Sequence, residues 1–233
     1  MIINREALED IQKSLKAIYL EAFQGATPRW PKLAMRVPST AKIEVYKFLS
    51  EVAKMRHWVG ERELTNLKAY QFQIENLDWE LTIPIDRNDI LFDSLGLYTP
   101  LTQMMGVSAA EHPDDLLTDL LINGGSSLCY DGQYFFDDDH PRMGSLTTQS
   151  NKGTAKLGTT GYNAARTAMR GLTDGRGRNM NISPNLLVVG PSKEAEARKL
   201  LESEKLYELA ADKTEALSAN PYRGTAELFV WNE

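Results

Sequence analysis

Near the start of the chain, apolar side chains recur with the spacing of one face of a helix. Between Asn4 and about Gly25 they follow one another at intervals of three or four residues, and this spacing predicts an amphipathic helix. The glycine, with Pro28 soon after it, should end the helix. The apolar positions on the predicted face are Leu8, Ile11, Leu15, Ile18 and Ala22.

A proline-rich stretch follows the predicted helix. Pro28, Pro31 and Pro38 stand among large apolar residues, which include Trp30 and Met35. The prolines exclude a continuous helix, and the apolar content is too high for a solvated linker. We therefore expect an extended arm that lies on another surface, such as that of a neighbouring subunit.

The apolar spacing changes to a period of two between Tyr70 and Ile85. This alternation predicts a β-hairpin with one apolar face, whose turn should fall at residues 75–78, where Asn and Asp tolerate turn geometry. Pro84 cannot donate a ladder hydrogen bond, so its strand should lie at an edge or end there. A hairpin with such large side chains needs a partner surface. The alternating positions are Tyr70, Phe72, Ile74, Trp79, Leu81, Ile83 and Ile85.

Helical spacing returns between Ser94 and about Asn123. Pro113 interrupts the pattern, which predicts one kinked helix or two consecutive helices. Asp114 and Asp115 would then lie in the first turn after the proline, where carboxylates favour the positive end of a helix. The predicted apolar positions are Leu97, Leu101, Met104, Met105, Leu116, Leu117, Leu120 and Leu121.

The remainder of the chain has α/β character. Residues 145–161 are rich in Ser, Thr, Gly, Gln and Asn, which predicts a flexible loop and an internal boundary. A helix is expected at residues 162–172 and a buried strand at residues 186–189. Ser192 should cap a further helix that runs through Leu200, Leu201 and Leu206.

Composition places the chain among folded globular proteins and excludes several functions. Hydrophobic residues make up 42% and charged residues 25% of the 233 positions, close to the averages of soluble domains. The net charge of −6, with scattered Lys and Arg, gives no general attraction to nucleic acid. No apolar run approaches the roughly 18 residues of a membrane helix.

The N-terminus and the cysteine content indicate where the chain is made. No basic region followed by an apolar run is present, so no secretion signal is predicted. Cys129 is the only cysteine and cannot form an internal disulfide. We interpret it as a small buried hydrophobe in a reducing cytoplasm.

One cluster of residues suggests metal chemistry. Carboxylates and an imidazole at residues 137–140 could bind a divalent ion, and a metal-dependent hydrolase would use Asp137, Asp139 and His140. Consecutive residues rarely converge on one ion, however, and no His-Glu-x-x-His pattern accompanies them. The sequence therefore favours a structural acidic turn, and Ser192 lies in no Gly-x-Ser-x-Gly elbow.

A glycine- and arginine-rich stretch at residues 171–178 could suggest a phosphate-binding loop. Such a loop follows a strand and opens a helix, whereas this stretch follows a predicted helix and precedes a predicted strand. We interpret it as a helix-terminating turn with two solvated arginines, Arg176 and Arg178. Contact with a neighbouring subunit or with nucleic acid is the alternative.

Several stretches together resemble the Mu-like prophage major head subunit family, gpT. The resemblance covers nearly the whole chain, and the stretch from Tyr-Asp-Gly to His-Pro is its most distinctive part. The similar stretches are 58–62 (WVGER), 95–100 (LGLYTP), 129–136 (CYDGQYFF) continuing to 139–141 (DHP), 179–190 (NMNISPNLLVVG) and 220–224 (NPYRG).

The resemblance implies an α+β protein with the Hong Kong 97-type phage capsid fold. Residues 1–40 would form an N-terminal helix and arm, and residues 41–93 an extended β-hairpin region, the E-loop. Residues 94–150 would form the peripheral domain with its long spine helix, and residues 151–233 an α/β axial domain. The chain stops inside an apparent strand at residues 228–233, where members of the family continue, so a truncated axial domain is expected.

The same resemblance implies a structural head subunit and not an enzyme, with no cofactor and no metal. Hexamers and pentamers of the chain would tile an icosahedral shell, built in the host cytoplasm, around double-stranded DNA that it contacts weakly. Scaffolding and decoration proteins are expected partners, and a membrane is not. A tail or adaptor protein of a phage is the alternative within the structural class. Candidate subunit-interface residues are Trp30, Tyr70, Phe72, Trp79, Arg176 and Arg178.

Overall fold

The structure of the protein, a computed structural model, describes residues 5–49, 69–92, 95–142, 147–174, 177–209 and 215–232. Helices and two-stranded sheets make it an α+β protein, as predicted. The helices are α1 (Arg5–Gly25), α2 (Arg87–Leu91), α3 (Tyr98–Ile122), α4 (Thr159–Arg170) and α5 (Glu194–Glu202). The strands are β1 (Ile43–Leu49), β2 (Ala69–Glu75), β3 (His140–Pro141), β4 (Thr148–Gln149), β5 (Leu186–Val189), β6 (Lys205–Leu209), β7 (Glu215–Ala219) and β8 (Glu227–Val230).

The chain divides into two compact units. The first comprises Met1–Val45 and Gln73–Asn123, and the second comprises Tyr46–Phe72 and Gly124–Glu233. The first unit is built on α1 and α3, which pack against each other along much of their length. The predicted N-terminal helix is therefore confirmed.

Helix α3 is one continuous helix with Pro113 inside it, so the predicted alternative of two consecutive helices is wrong and that of a single helix is correct. Its buried residues are small or polar and recur every four positions. Gly106 lies in close contact with α1, because a Cβ atom there would stand 2.6 Å from the carbonyl oxygen of Tyr19 and 2.9 Å from the Cβ of Ala22. Only glycine allows the two backbones to approach so closely. The buried positions of α3 are Thr102, Gly106, Ala110 and Asp114.

The large apolar residues of α3 are exposed or half-buried and do not form its buried face. Met104 is 68% exposed and Leu101 is 44% exposed. Residues two apart point about 200° apart around a helix, so Met104 and Gly106 lie on opposite sides. A side chain as large as leucine at the contact would hold α1 and α3 apart. The outward position of the large residues therefore follows from the close approach.

The predicted hairpin is correct in its first strand and wrong in its second. Strand β2 pairs with β1, and residues 76–86 form no strand. Asn76 ends β2, because its N–H donates to the carbonyl of Lys42 and its side-chain amide donates to the carbonyl of Ala41. Beyond Asn76 the segment 76–86 has no regular secondary structure, and its Ile83 and Ile85 are half-buried against the helices of the first unit.

In the second unit, the loop predicted to be flexible is held by hydrogen bonds where the structure describes it. Strands β3 and β4 pair antiparallel, with His140 opposite Gln149. The Asn151 side-chain amide donates to the carbonyl of Phe135, and its oxygen accepts from the N–H of Asp137. Residues 147–152 are thus fastened to the stretch 135–141.

The core of the second unit lies where α4 and α5 meet the strands that follow them. Tyr162, Leu200, Leu201 and Leu206 form its buried cluster. Strand β5 confirms the predicted apolar strand and pairs parallel with β8, and β6 pairs antiparallel with β7. Helix α4 confirms the helix predicted before β5.

The helix after β5 differs from the prediction at both ends. Ser192 lies in a 3-10 turn that precedes α5, and no side chain caps the start of α5. Helix α5 ends at Glu202, where the Asn220 side-chain amide donates to the carbonyls of Leu200 and Ser203. Leu206 therefore reaches the core from strand β6, not from the helix.

The close approach of α3 to α1 predicts the effect of one added methyl group. Gly106→Ala should lower the free energy of unfolding in urea by about 1–3 kcal/mol, the usual cost of overpacking a tight contact. The matched control is Gly96→Ala, because a Cβ at Gly96 meets nothing within 4 Å. Equal stability of the two variants would contradict the helix contact described here.

Candidate assembly surfaces

The arm after α1 begins on the chain's own helix α3. The buried carboxylate of Asp114, 1% exposed, accepts the N–H of Arg29 at 2.9 Å and the N–H of Trp30 at 2.6 Å. These amides open the 3-10 turn Trp30–Lys32, and a carboxylate satisfies such unpaired donors well. The expected role of Asp114 at a helix start is corrected accordingly, since it serves the arm from the middle of α3.

A second carboxylate holds the far end of the arm. Glu44 accepts the N–H of Thr40 at 2.7 Å, the N–H of Ala41 at 2.9 Å and the hydroxyl of Ser39 at 2.9 Å. These hydrogen bonds, that from Ala41 foremost, lower the pKa of Glu44. The Asn76 side chain donates to the hydroxyl of Ser39 as well. The chain around residues 39–44 is thus fixed against the end of β2.

Between these two anchors, the arm presents apolar side chains to solvent. Met35 is 85% exposed and Val37 is 46% exposed, and Arg36 between them is exposed too. We expected the arm to lie on another surface. Up to the 3-10 turn, that surface is helix α3 of the same chain. Residues 34–38 are held at both ends and remain uncovered.

A groove in the first unit offers a further apolar surface. It has a volume of about 510 Å³ and is lined mainly by aliphatic residues of α1, α2, α3 and the segment 76–86. Beside Trp79 lies a second cavity of about 330 Å³, where the indole meets the His112 ring edge-on at 4.3 Å between centroids. Residues lining the larger groove include Leu8, Ile11, Leu15, Ile83, Ile85 and Met105.

The outward face of α3 continues the apolar surface along the helix. Leu97 at its start is 70% exposed, and Leu101 and Met104 follow at helical spacing. Apolar residues grouped in this way mark sites of protein–protein contact more often than scattered ones do. The arm, the groove and this face are the candidate assembly surfaces of the first unit.

The structure locates most of the interface residues predicted from the sequence. Trp30 is half-buried in the 3-10 turn and Phe72 is half-buried in β2, whereas Trp79 is 60% exposed. Tyr70 belongs to β2, but its side chain lies outside the description. Arg176 lies outside the described residues altogether, as do residues 58–62.

Arg178 has a partner within its own turn. Its N–H donates to Asp174 Oδ1 at 2.7 Å and its Nε to Asp174 Oδ2 at 3.0 Å, and the Asp174 side chain is 8% exposed. The interpretation of Arg178 as merely solvated is corrected: it closes the glycine-rich turn while its side chain stays 55% exposed.

The acidic cluster does not converge on a common point. Asp137 accepts the N–H of Asp138 at 2.7 Å and that of Tyr134 at 3.3 Å, and the first of these bonds lowers its pKa. His140 turns instead to Asp131, with Nδ1 2.7 Å from Oδ2, a partner that the sequence did not reveal. Within the described ranges, no group of three His, Cys, Asp or Glu residues could hold a metal ion.

Similarity to a known protein family distinguishes a structural head subunit from a metal-dependent hydrolase. The profile of the Mu-like prophage major head subunit gpT matches residues 8–160 and 152–232. The chain belongs to this gpT family. Family and relatives are structural head proteins, which confirms the prediction that the chain is not an enzyme and leaves the metal-dependent hydrolase without support.

Two curated relatives are a capsid protein and a head subunit by name. The gpT-family chain is 36% identical over 141 residues to the major capsid protein of Escherichia phage Mu, an alignment covering 60% of this chain and 46% of that protein. It is 33% identical over 139 residues to the Mu-like prophage FluMu major head subunit of Haemophilus influenzae, an alignment covering 60% of this chain and 45% of that protein. The chain thus spans about half the length of the curated relatives it matches.

Solved structures establish the fold of this gpT-family chain. It is 25% identical to a chain of the bacteriophage JBD30 procapsid, with a TM-score of 0.74 over 98% of this chain and 100% of that one. It is also 25% identical to a chain of the JBD30 capsid decorated with minor capsid protein trimers, with a TM-score of 0.66 over 89% of this chain and 92% of that one. The predicted Hong Kong 97-type capsid fold is confirmed.

None of the helices in the described parts of the gpT-family chain is both long and apolar enough to span a bilayer.

The pair of His140 and Asp131 predicts a pH dependence of stability. The hydrogen bond to Asp131 raises the pKa of His140, so the pair stabilises the fold fully below the unfolded histidine pKa of about 6.5. This contribution disappears as the pH rises through the higher folded pKa. The melting temperature of the unaltered protein should therefore fall with rising pH relative to that of Asp131→Asn.

Asparagine at residue 131 keeps an oxygen to accept the N–H of Gln133, which Asp131 Oδ1 binds at 3.1 Å. The control is Asp139→Asn, because Asp139 is exposed and its replacement should leave the pH profile unchanged. Parallel profiles for the unaltered protein and Asp131→Asn would contradict the role given to the pair.

Proposed function

We propose that the protein is a major capsid subunit that self-assembles into the icosahedral shell enclosing phage double-stranded DNA. The observation that carries this function is the outward position of large apolar side chains in the first unit. Helix α3 packs on α1 through small residues and leaves Leu97, Leu101 and Met104 70%, 44% and 68% exposed. In an isolated chain these apolar side chains stay exposed to solvent, whereas in a lattice neighbouring copies would cover them.

The energetics suit assembly by many modest contacts. Fully burying one leucine or methionine side chain stabilises by about 1.5–3 kcal/mol, so covering a few of them offsets part of the entropy lost on association. Each subunit of a closed shell has several neighbours, and closure multiplies such contacts. No bond chemistry is required.

The four segments expected from the sequence take their places in this proposal. Residues 1–40 supply α1 and the arm, and residues 41–93 the E-loop, whose described strands are β1 and β2. Residues 94–150 supply the peripheral domain with α3 as spine helix, and residues 151–233 the axial domain from α4 to β8. The exposed Trp79 and the half-buried Phe72 are the predicted interface residues that the accessible surface supports best.

The partners follow from the same assignment. Copies of the chain would form hexamers and pentamers, assembled in the host cytoplasm and then part of the virion. A net charge of −6 supports only weak contact with packaged DNA. The solved JBD30 capsid carries minor capsid protein trimers, which supports a decoration protein as a partner here, and a scaffolding protein is proposed from the family resemblance alone.

Assembly of the purified protein tests this function. We expect sedimentation velocity over a range of concentrations, with negative-stain electron microscopy of the same samples, to reveal capsomers, lattice sheets or closed shells, because apolar surface is buried on contact. Rings stacked into tubes would instead indicate a tail or adaptor protein. Monomers at every concentration and salt level would contradict the proposal.

A further inference from the structure

The exposed part of the arm is basic as well as apolar. Between Ala26 and Lys42 the chain carries four cations and no Asp or Glu. Lys42 forms an ion pair with Glu75 at 3.2 Å, whereas Arg36 stands exposed between Met35 and Val37. The arm therefore offers one guanidinium flanked by two uncovered apolar side chains.

The outward face of α3 has the complementary character. The helix contains four carboxylates and no Lys or Arg. Glu111 and Asp115 are exposed. The steps from 101 to 104, from 104 to 111 and from 111 to 115 are three, seven and four residues, so all four side chains lie on one side of the helix. An apolar first half thus passes into an acidic second half.

We propose that the arm of one copy, residues 33–38, docks on the outward face of α3 of a second copy. Met35 and Val37 cover Leu101 and Met104, and Arg36 approaches Glu111, which lies about 10 Å along the helix from Met104. This inference rests on the proposed self-assembly and names the surface that one contact of the lattice uses. The partner is a second copy because the chain carries both complementary surfaces.

The chain's own arm does not cover its own α3 face. The arm meets α3 at Asp114, whose side chain is buried, and beyond that point Met35 and Met104 stay 85% and 68% exposed. Both surfaces therefore remain available to another copy.

The anchors at each end of the arm favour such docking. Asp114 holds the arm at Trp30, and Glu44 holds it at Thr40 and Ala41. A segment already fixed at both ends loses less conformational freedom on binding than a free tail does. Because the contact joins opposite charges at an exposed site, it should weaken as salt rises.

Reversal of the charges tests the docking. Arg36→Glu and Glu111→Arg should each raise the concentration needed for assembly by about tenfold or more, because each sets like charges against each other. The double variant should return towards the unaltered protein, because the attraction is restored with its sign reversed. Lys156→Glu, at an exposed cation of the second unit, is the matched control and should leave assembly unchanged.

Disulfide trapping tests the same contact without relying on charge. In a Cys129→Ser background, a chain with Met35→Cys is mixed with a mass-tagged chain carrying Met104→Cys, assembled and oxidised. Cross-linked pairs of the two chains should form. A Met180→Cys partner is the control, because Met180 is 51% exposed and lies in the second unit.

The outcomes separate the docking from the shell function. If Arg36→Glu assembles like the unaltered protein, or if Met35→Cys joins Met180→Cys as readily as Met104→Cys, the docking is overturned and the shell function stands. Failure of the double variant to recover, with Met35→Cys and Met104→Cys not cross-linking, also overturns it. If the unaltered protein never assembles, the shell function itself fails.

Discussion

The contact between α3 and α1 at Gly106 governs the rest of the first unit. A glycine at that point lets the two helices approach until a single methyl group would collide with the backbone of α1. The inward face of α3 must then consist of small or polar residues, which it does. Leu101 and Met104 are left on the other side, where they stay 44% and 68% exposed.

The same inward face also fixes the arm. Asp114 belongs to the row of buried positions that includes Gly106, and its carboxylate takes up the backbone amides of Arg29 and Trp30. A buried carboxylate without such donors would be costly, so the arm and the helix depend on each other. Met104 lies opposite this inward face, and Met35 lies in the arm beyond the point that Asp114 holds. Both methionines are therefore exposed.

Sequence patterns predicted what local spacing determines and failed where distant contacts decide. The period of α1 and the apolar run of β5 predicted a helix and a strand correctly. The alternation from Trp79 to Ile85 indicated an extended segment with one apolar face. What covers that face depends on residues far along the chain, and here the helices half-bury only Ile83 and Ile85.

Other features could be predicted from the sequence only in part. The spacing of Leu101 and Met104 shows which residues share a face of α3, but not whether that face turns inward. Gly106 could have pointed to the close helix contact, since a glycine in mid-helix needs a reason. Asp131 gave no sign of its pairing with His140. The family, by contrast, was predictable because the stretch from Cys129 to Pro141 is distinctive.

The most direct test of this account is methionine oxidation by dilute peroxide, followed by mass spectrometry on dissociated and assembled protein. We expect Met35 and Met104 to oxidise rapidly in dissociated chains, as their exposure requires, and to be strongly protected after assembly because neighbouring copies cover them. Equal oxidation rates of both methionines in the two states would contradict the claim that the outward face of the first unit builds the shell.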